Sequence, residues 1–220
     1  MPSTPDEPAA RALSERPVRA RRCGVCGQPL VGGSCPNTVC HFPDRGFSEV
    51  LTVSEDADQT WDAIRRFKYD DEKSRAHDLA RLLVDYLDSD RTRVQRFDLI
   101  TPCALYIGPQ ARRLWDYLEL ILDAAERLDP RWPFARDLIT KSRPTGRFLG
   151  IGVEERRRIA EGELREALAV PDPGRVAGKR VLVFDDVYSE GFSLREMARA
   201  LRLAGAAEVA GLVLCRMKGA

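Results

Sequence analysis

The chain has 220 residues, 44% of them hydrophobic and 31% charged, which leaves room for one domain of ordinary size and a small module. Lys and Arg number 35 against 34 Asp and Glu, so a net charge of +1 does not advertise nucleic acid or a membrane surface. No apolar run approaches the ~18–20 residues that span a bilayer, and the first 22 residues lack the apolar core of a secretory signal, so no membrane partner and a cytoplasmic location are expected.

Residues 1–20 carry Pro2, Pro5, Pro8 and Pro17 and few large apolar groups, the composition of a disordered arm. Arg19, Arg21 and Arg22 give its end a basic character that an acidic partner, nucleic acid included, could contact. Over 21–46, Cys23 and Cys26 form a CxxC with Gly24 and Gly27 at the turn. Cys35 and Cys40 form a looser second pair. In a cytoplasmic setting this spacing favours a metal over disulfides, and two close pairs across a short hairpin suit a structural zinc ribbon with four cysteine ligands. His41 is an alternative to Cys40 as ligand, and a redox pair or unligated thiols are the other readings. A module this small has no core of its own, so the metal would supply much of its folding energy.

The remaining chain, 47–220, reads as one domain. Gly46 to Val53 is a weak strand. Residues 58–68 form a helix with Trp61 and Ile64 inward, and residues 74–88 a stronger one, with Ala76, Leu79, Ala80, Leu83, Tyr86 and Leu87 on one stripe. His77 in that helix receives no chemical role. Phe97 to Pro102 is a buried strand that runs into Cys103 and a loop closed by Gly108-Pro109. The spacing predicts a helix over 111–128 with Leu114, Leu118, Ile121, Leu122 and Ala125 inward, and a short strand over 137–140. Lys141 to Gly152 is a basic, Gly-rich loop without periodicity, of the kind that is mobile and carries function. A helix follows over 154–169, opening with Arg156, Arg157 and Arg158, whose three successive charges suit a solvated face. The last strand is 208–215. Cys103 and Cys215 sit in apolar strands as buried thiols.

The stretch 180–204, RVLVFDDVYSEGFSLREMARALRLA, carries the chemistry. Val181 to Phe184 read as a buried strand, Asp185 and Asp186 follow, and the turn Ser189-Glu190-Gly191-Phe192-Ser193 leads into a helix with Leu194, Met197, Ala198 and Leu201 on one face. The first N–H groups of that helix have no intrahelical partner and lie at the positive end of its dipole, so they suit a phosphate. Ser189 and Ser193 add hydroxyl donors, and Gly191 allows close approach. Two carboxylates at the entrance of a plain phosphate loop would be repulsive. They make sense if the ligand also brings sugar hydroxyls or a magnesium ion, as a phosphorylated ribose does.

Four apolar residues followed by DDVYSEGFS resemble the phosphoribosyl-diphosphate signature of type I phosphoribosyltransferases. The run IRRFKYDDE from Ile64 to Glu72, followed by LARLL, with a cysteine ribbon ahead of it, resembles the ComF-like branch of that family. The resemblance implies that Asp185 and Asp186 hold the ribose hydroxyls and that Ser189, Glu190, Gly191, Phe192 and Ser193 wrap the 5-phosphate. It implies a pyrophosphate cradle from Thr101, Pro102 and Cys103 onward. It also implies a loop that closes over the reaction, where Lys141, Arg143 and Arg147 could neutralise the leaving group. The family usually has Thr where this chain has Glu190. A Gln near Phe148 and an Asn near Ile159, expected of ComF-like chains, are absent.

The expected architecture is α/β: an open, mostly parallel sheet in Rossmann-like layers, similar to type I phosphoribosyltransferases, with the zinc ribbon ahead of it. The leading function is transfer of a phosphoribosyl group from phosphoribosyl diphosphate and Mg2+ to an unidentified acceptor, releasing pyrophosphate. The alternatives are a phosphoribosyl- or nucleotide-binding regulator without turnover and a ComF-like DNA-uptake accessory. A zinc-ribbon interaction protein is a third reading, and a homodimer stays open.

Overall fold

All strands of the main sheet run in one direction, which is what successive strand–helix units produce. The computed structural model describes residues 21–54, 57–70, 72–111, 113–148 and 150–217, and the expected arm of residues 1–20 lies outside them. The elements in order are a 3-10 turn Thr38–His41, β1 Val50–Thr52, α1 Ala57–Tyr69, α2 Arg75–Ser89, α3 Arg91–Val94, β2 Leu99–Pro102, α4 Tyr117–Leu128 and β3 Thr140–Lys141. After these come α5 Val153–Ile159, a π turn Ala160–Leu164, α6 Arg165–Ala167, β4 Leu168–Ala169, a 3-10 turn Pro173–Arg175, β5 Arg180–Tyr188, α7 Phe192–Leu203 and β6 Glu208–Arg216. The main sheet has the order β1-β6-β5-β2, entirely parallel.

The interior follows from the apolar runs. Val181 to Phe184 of β5 and Val209, Ala210 and Leu212 to Leu214 of β6 are buried, each large side chain contributing roughly 1.5–3 kcal/mol. Strands this apolar need cover on both faces, and they have it. On one face Asp186 meets α1 and α4 through Lys68 and Tyr117. On the other, Gly211, which pairs with Val183, leaves room for Leu194 of α7, whose Cδ2 a Cβ would meet at 2.7 Å.

Three expectations shift. The strand expected over 137–140 is not part of the main sheet. Asp137 takes a left-handed φ of 59°, which breaks the extended run, and Thr140–Lys141 pair antiparallel with Leu168–Ala169 instead. The sheet is extended beyond β2 by an isolated parallel bridge between Ile100 and Phe134. The helix expected from 111 begins at Tyr117, because Asp116 caps it by accepting from the Leu118 and Glu119 amides at 2.9 and 3.0 Å. Leu114, expected inward, is therefore 94% exposed. The helix expected over 154–169 is interrupted by the π turn, which contains Gly162.

The cysteine module does not stand apart. Cys26 and Val39 belong to the same hydrophobic cluster as the sheet. The Val50 amide donates to the Val25 carbonyl, Gln28 Nε2 to the Met217 carbonyl at 2.9 Å, and Arg216 Nη1 to the Cys26 carbonyl at 2.7 Å. No described helix is long and apolar enough to cross a membrane.

Candidate functional site

β5 outruns its neighbour β2. Pro102, the last residue of β2, pairs with Phe184, while β5 stays paired to β6 as far as Tyr188. Asp185 and Asp186 thus lie on strand backbone just past the end of β2, at the carboxyl edge where open parallel sheets form their crevice. Successive side chains alternate along a strand, but past the end of β2 no neighbouring strand separates the two carboxylates, and both reach the same cleft. The acid pair is one device with two environments.

Asp186 is buried, 4% exposed. Lys68 Nζ from α1 donates to its Oδ2 at 2.5 Å and the Tyr117 hydroxyl to its Oδ1 at 3.3 Å. The same ammonium lies 4.1 Å from the Tyr117 ring centroid. Burial alone would raise the Asp186 pKa, but the Lys68 charge and the hydrogen bonds from Asp185, Lys68 and Tyr117 hold it below the usual carboxylate range. Asp185 forms no ion pair among the described residues. Burial, followed by the charge of Asp186, pushes it well above that range. Tyr117 is pushed well up by burial and then by Asp186, so it stays a hydroxyl donor.

A cleft of about 940 Å³ opens over the pair. Among the residues expected at the site, Asp185, Asp186, Ser193, Cys103, Lys141 and Arg147 line it. Its wall also contains Lys68, Arg113, Trp115 and Tyr117. Arg113 lies over the Tyr69 and Tyr117 rings at 4.9 and 4.8 Å and donates to the Lys68 carbonyl. Burial, then the charge of Asp185, pushes the Cys103 thiol well above its ordinary value, which favours the protonated form.

A smaller hollow of about 60 Å³ adjoins the cleft, bounded by Asp185, the run Ser189 to Ser193 and Arg156. Gly191 adopts φ +87°, which only glycine takes freely, and it precedes the first turn of α7. The free N–H groups of that turn and the Arg156 guanidinium, whose buried Nε has no hydrogen-bond partner among the described residues, flank one space of phosphate size. Arg156, which begins a run of three arginines expected on a solvated face but also matches a phosphoribosyltransferase Arg by its distance from Thr145, is half-buried beside the loop.

Other expected residues are placed elsewhere. Thr101 and Pro102 are buried at the end of β2 and do not line the cleft. Arg143 is exposed, paired with Glu166 at 2.6 Å, and also lies outside the lining. Phe192 is a core residue whose ring closes the small hollow. Glu190 is 2% exposed, and its Oε2 accepts from the Thr38 amide of the cysteine module at 3.4 Å. The charge that Glu190 brings to the loop is thus engaged by the cysteine module.

The four sulfurs of Cys23, Cys26, Cys35 and Cys40 lie within 4.8 Å of one another, Cys26 and Cys35 at 3.6 Å, and none is in a disulfide. Tetrahedral zinc with Zn–S of ~2.3 Å requires S–S edges of roughly 3.8 Å, so the donor set fits a closed metal site. His41 turns its Nε2 to the Cys35 carbonyl at 2.8 Å, and Cys40 supplies the fourth sulfur of the cluster. The Val25 and Asn37 amides donate to the Cys23 and Cys35 sulfurs at 3.4 Å each, as donors behind metal-bound thiolates do.

No family model matches the chain. DNA utilization protein YhgH of Escherichia coli K12 is 27% identical over 197 residues, 88% of this chain and 83% of that protein. Competence protein F of Haemophilus influenzae is 26% identical over 196 residues, 85% of this chain and 81% of that one. The chain is thus similar to these two proteins over most of its length. Two solved structures share part of its course. A purine phosphoribosyltransferase from Pyrococcus horikoshii matches with a TM-score of 0.35 and 14% identity, over 64% of this chain and 82% of that enzyme. The allosteric regulatory enzyme of purine biosynthesis matches with a TM-score of 0.37 and 22% identity, over 63% of this chain but only 25% of that one.

Three cleft residues escaped the sequence. Lys68 lay in plain view in the FKYDD run, beside the two acids, but nothing local says that it pairs with Asp186, 118 residues away. Tyr117 and Arg113 carry no sequence signal: packing of α4 on β5 brings Tyr117 to Asp186, and Arg113, on the loop ahead of α4, reaches the cleft by lying over the Tyr69 and Tyr117 rings.

Proposed function

We propose that this chain binds phosphoribosyl diphosphate with Mg2+ and transfers its phosphoribosyl group to an acceptor. The observation that carries the reading is the convergence, at the end of β5, of an acid pair, a phosphate-sized hollow and a cationic cleft. The 5-phosphate would take the amides of the first turn of α7, the Ser189 and Ser193 hydroxyls and Arg156. Asp185, on the hollow side, would accept from the ribose hydroxyls, and Asp186 with Lys68 would hold the sugar from the other side. Lys141 and Arg147 line the side of the cleft suited to the diphosphate. Magnesium, when bound, supplies charge to the diphosphate oxygens. The acceptor's lone pair forms the new bond to the anomeric carbon, the bond from that carbon to the diphosphate oxygen breaks, and pyrophosphate leaves with the electron pair. Any proton the acceptor sheds after attack passes to solvent or to the released pyrophosphate, so the step needs no base from the chain.

The names of the relatives, DNA utilization and competence proteins, together with an Asp186 already neutralised by Lys68, favour a second reading: a sugar-phosphate-binding accessory in DNA handling that does not turn over. Titration calorimetry with phosphoribosyl diphosphate and Mg2+, followed by a pyrophosphate-release assay with candidate bases, separates the two. Micromolar binding that Asp185→Asn or Arg156→Leu weakens at least tenfold is expected. Binding without release under any acceptor would favour the accessory, and no binding would sink both readings.

A further inference from the structure

Three successive residues of the phosphate loop touch the cysteine module. The Tyr188 hydroxyl lies 3.9 Å from Cys40 Sγ, the Ser189 carbonyl accepts from Asn37 Nδ2 at 2.5 Å, and the Glu190 carboxylate accepts from the Thr38 amide. Asn37 is completely buried. Besides holding Ser189, its Oδ1 caps the 3-10 turn by accepting from the Val39 amide at 3.1 Å, and its own amide donates to Cys35 Sγ. One residue thus hydrogen-bonds a cluster sulfur and the backbone of the loop at once. Tyr188 connects the two sites in a second way: a Cβ at Gly191 would meet its hydroxyl at 2.5 Å, so the ring lies directly under the turn of the loop. Asp44, at the far end of the module, reaches Arg195 in the first turn of α7 at 2.7 Å.

Bringing four sulfurs within 4.8 Å is unfavourable unless a cation neutralises them. Without one, Cys35 and Cys40 have no reason to hold the segment between them, and Asn37 and Thr38 lie in that segment. The half-buried Ser189 carbonyl and the buried Glu190 carboxylate would then lose their partners, a costly outcome that a rearranged loop avoids.

We infer that Asn37 and Glu190 are positioning residues that couple the two sites, so that metal in the cysteine cluster and sugar phosphate in the cleft bind with positive cooperativity. This rests on the phosphoribosyl reading above and accounts for Glu190 in a loop where its charge would otherwise oppose the ligand. Coupling between sites is reciprocal, so the effect can be measured from the metal side. The full chain loaded with zinc would be titrated with a zinc-selective chromophoric chelator, with and without saturating phosphoribosyl diphosphate and Mg2+. Calorimetry on the same sample would report whether the sugar phosphate is bound. The ligand is expected to raise the chelator concentration at half-release at least fivefold in the native chain. Glu190→Gln, which keeps an oxygen acceptor for Thr38, should retain most of that shift, and Glu190→Ala and Asn37→Ala should lose it. Bound ligand with an unmoved half-release point in the native chain would overturn the coupling, whatever the variants do. No heat of binding to the zinc-loaded chain would overturn the phosphoribosyl reading itself, and the coupling with it.

Discussion

Lys68 is the residue whose role depends most on its surroundings. Its ammonium sits on Asp186 and over the Tyr117 ring, so the acid pair enters binding with one carboxylate already compensated. An anionic ligand then meets less repulsion at the strand end, and part of the work expected of magnesium is done by the chain. Lys68→Met should weaken magnesium-free binding of phosphoribosyl diphosphate on the order of tenfold, ~1.4 kcal/mol, and weaken binding in excess Mg2+ much less. Calorimetry with and without the metal checks this, and equal losses in both conditions would remove Lys68 from that role. Asp185, Asp186 and the turn after them were legible because strand, acids, glycine and helix follow one another without interruption from Arg180 to Ala204. Lys68, Arg113, Tyr117 and the direction of Glu190 were not, since each is defined by a partner far away in the chain.

Among the elements, β5 and the turn into α7 define the site. The strand was readable from its apolar run, but its true end, Tyr188, was not. Asp185 and Asp186 look like loop residues by composition, and only pairing with β6 keeps them extended. The turn depends on Gly191 at φ +87°, with Tyr188 beneath it. Gly191→Ala combines an unfavourable backbone with a clash against a buried ring, so it should cost more than ~1 kcal/mol of stability and abolish binding in the hollow. Thermal unfolding followed by calorimetry tests both effects, and a variant of native stability and affinity would contradict the geometry. The misplaced helix start at 111 has a simple cause: Ala111, Leu114 and Leu118 keep helical spacing, but the side chain of Asp116 caps a helix that begins after them. The residues freed by that late start, Ala111, Arg113, Leu114 and Trp115, border the cleft.

For the whole molecule, the decisive fact is that the cysteine module is built into the sheet domain. Backbone hydrogen bonds from Val50 and side-chain bonds from Gln28 and Arg216 tie it to β1, to Met217 just past β6 and to β6 itself, while Asn37 and Thr38 hold the phosphate loop. Deleting residues 1–46 should therefore lower the unfolding midpoint by about 10 °C or more, rather than leave the sheet domain at full stability. A truncated chain that melts like the full one would show the module to be an independent appendage. The sequence by itself determined the parallel α/β layering, the cysteine cluster and the acid pair before a glycine turn, because each is a pattern of neighbours whose geometry is set by the periodicity of a strand, a helix or a knuckle. Only the tertiary structure decided which cation answers Asp186, where Glu190 points and what lies behind the phosphate loop. Those contacts join residues more than a hundred positions apart, and their energies exist only once the packed sheet has brought them together.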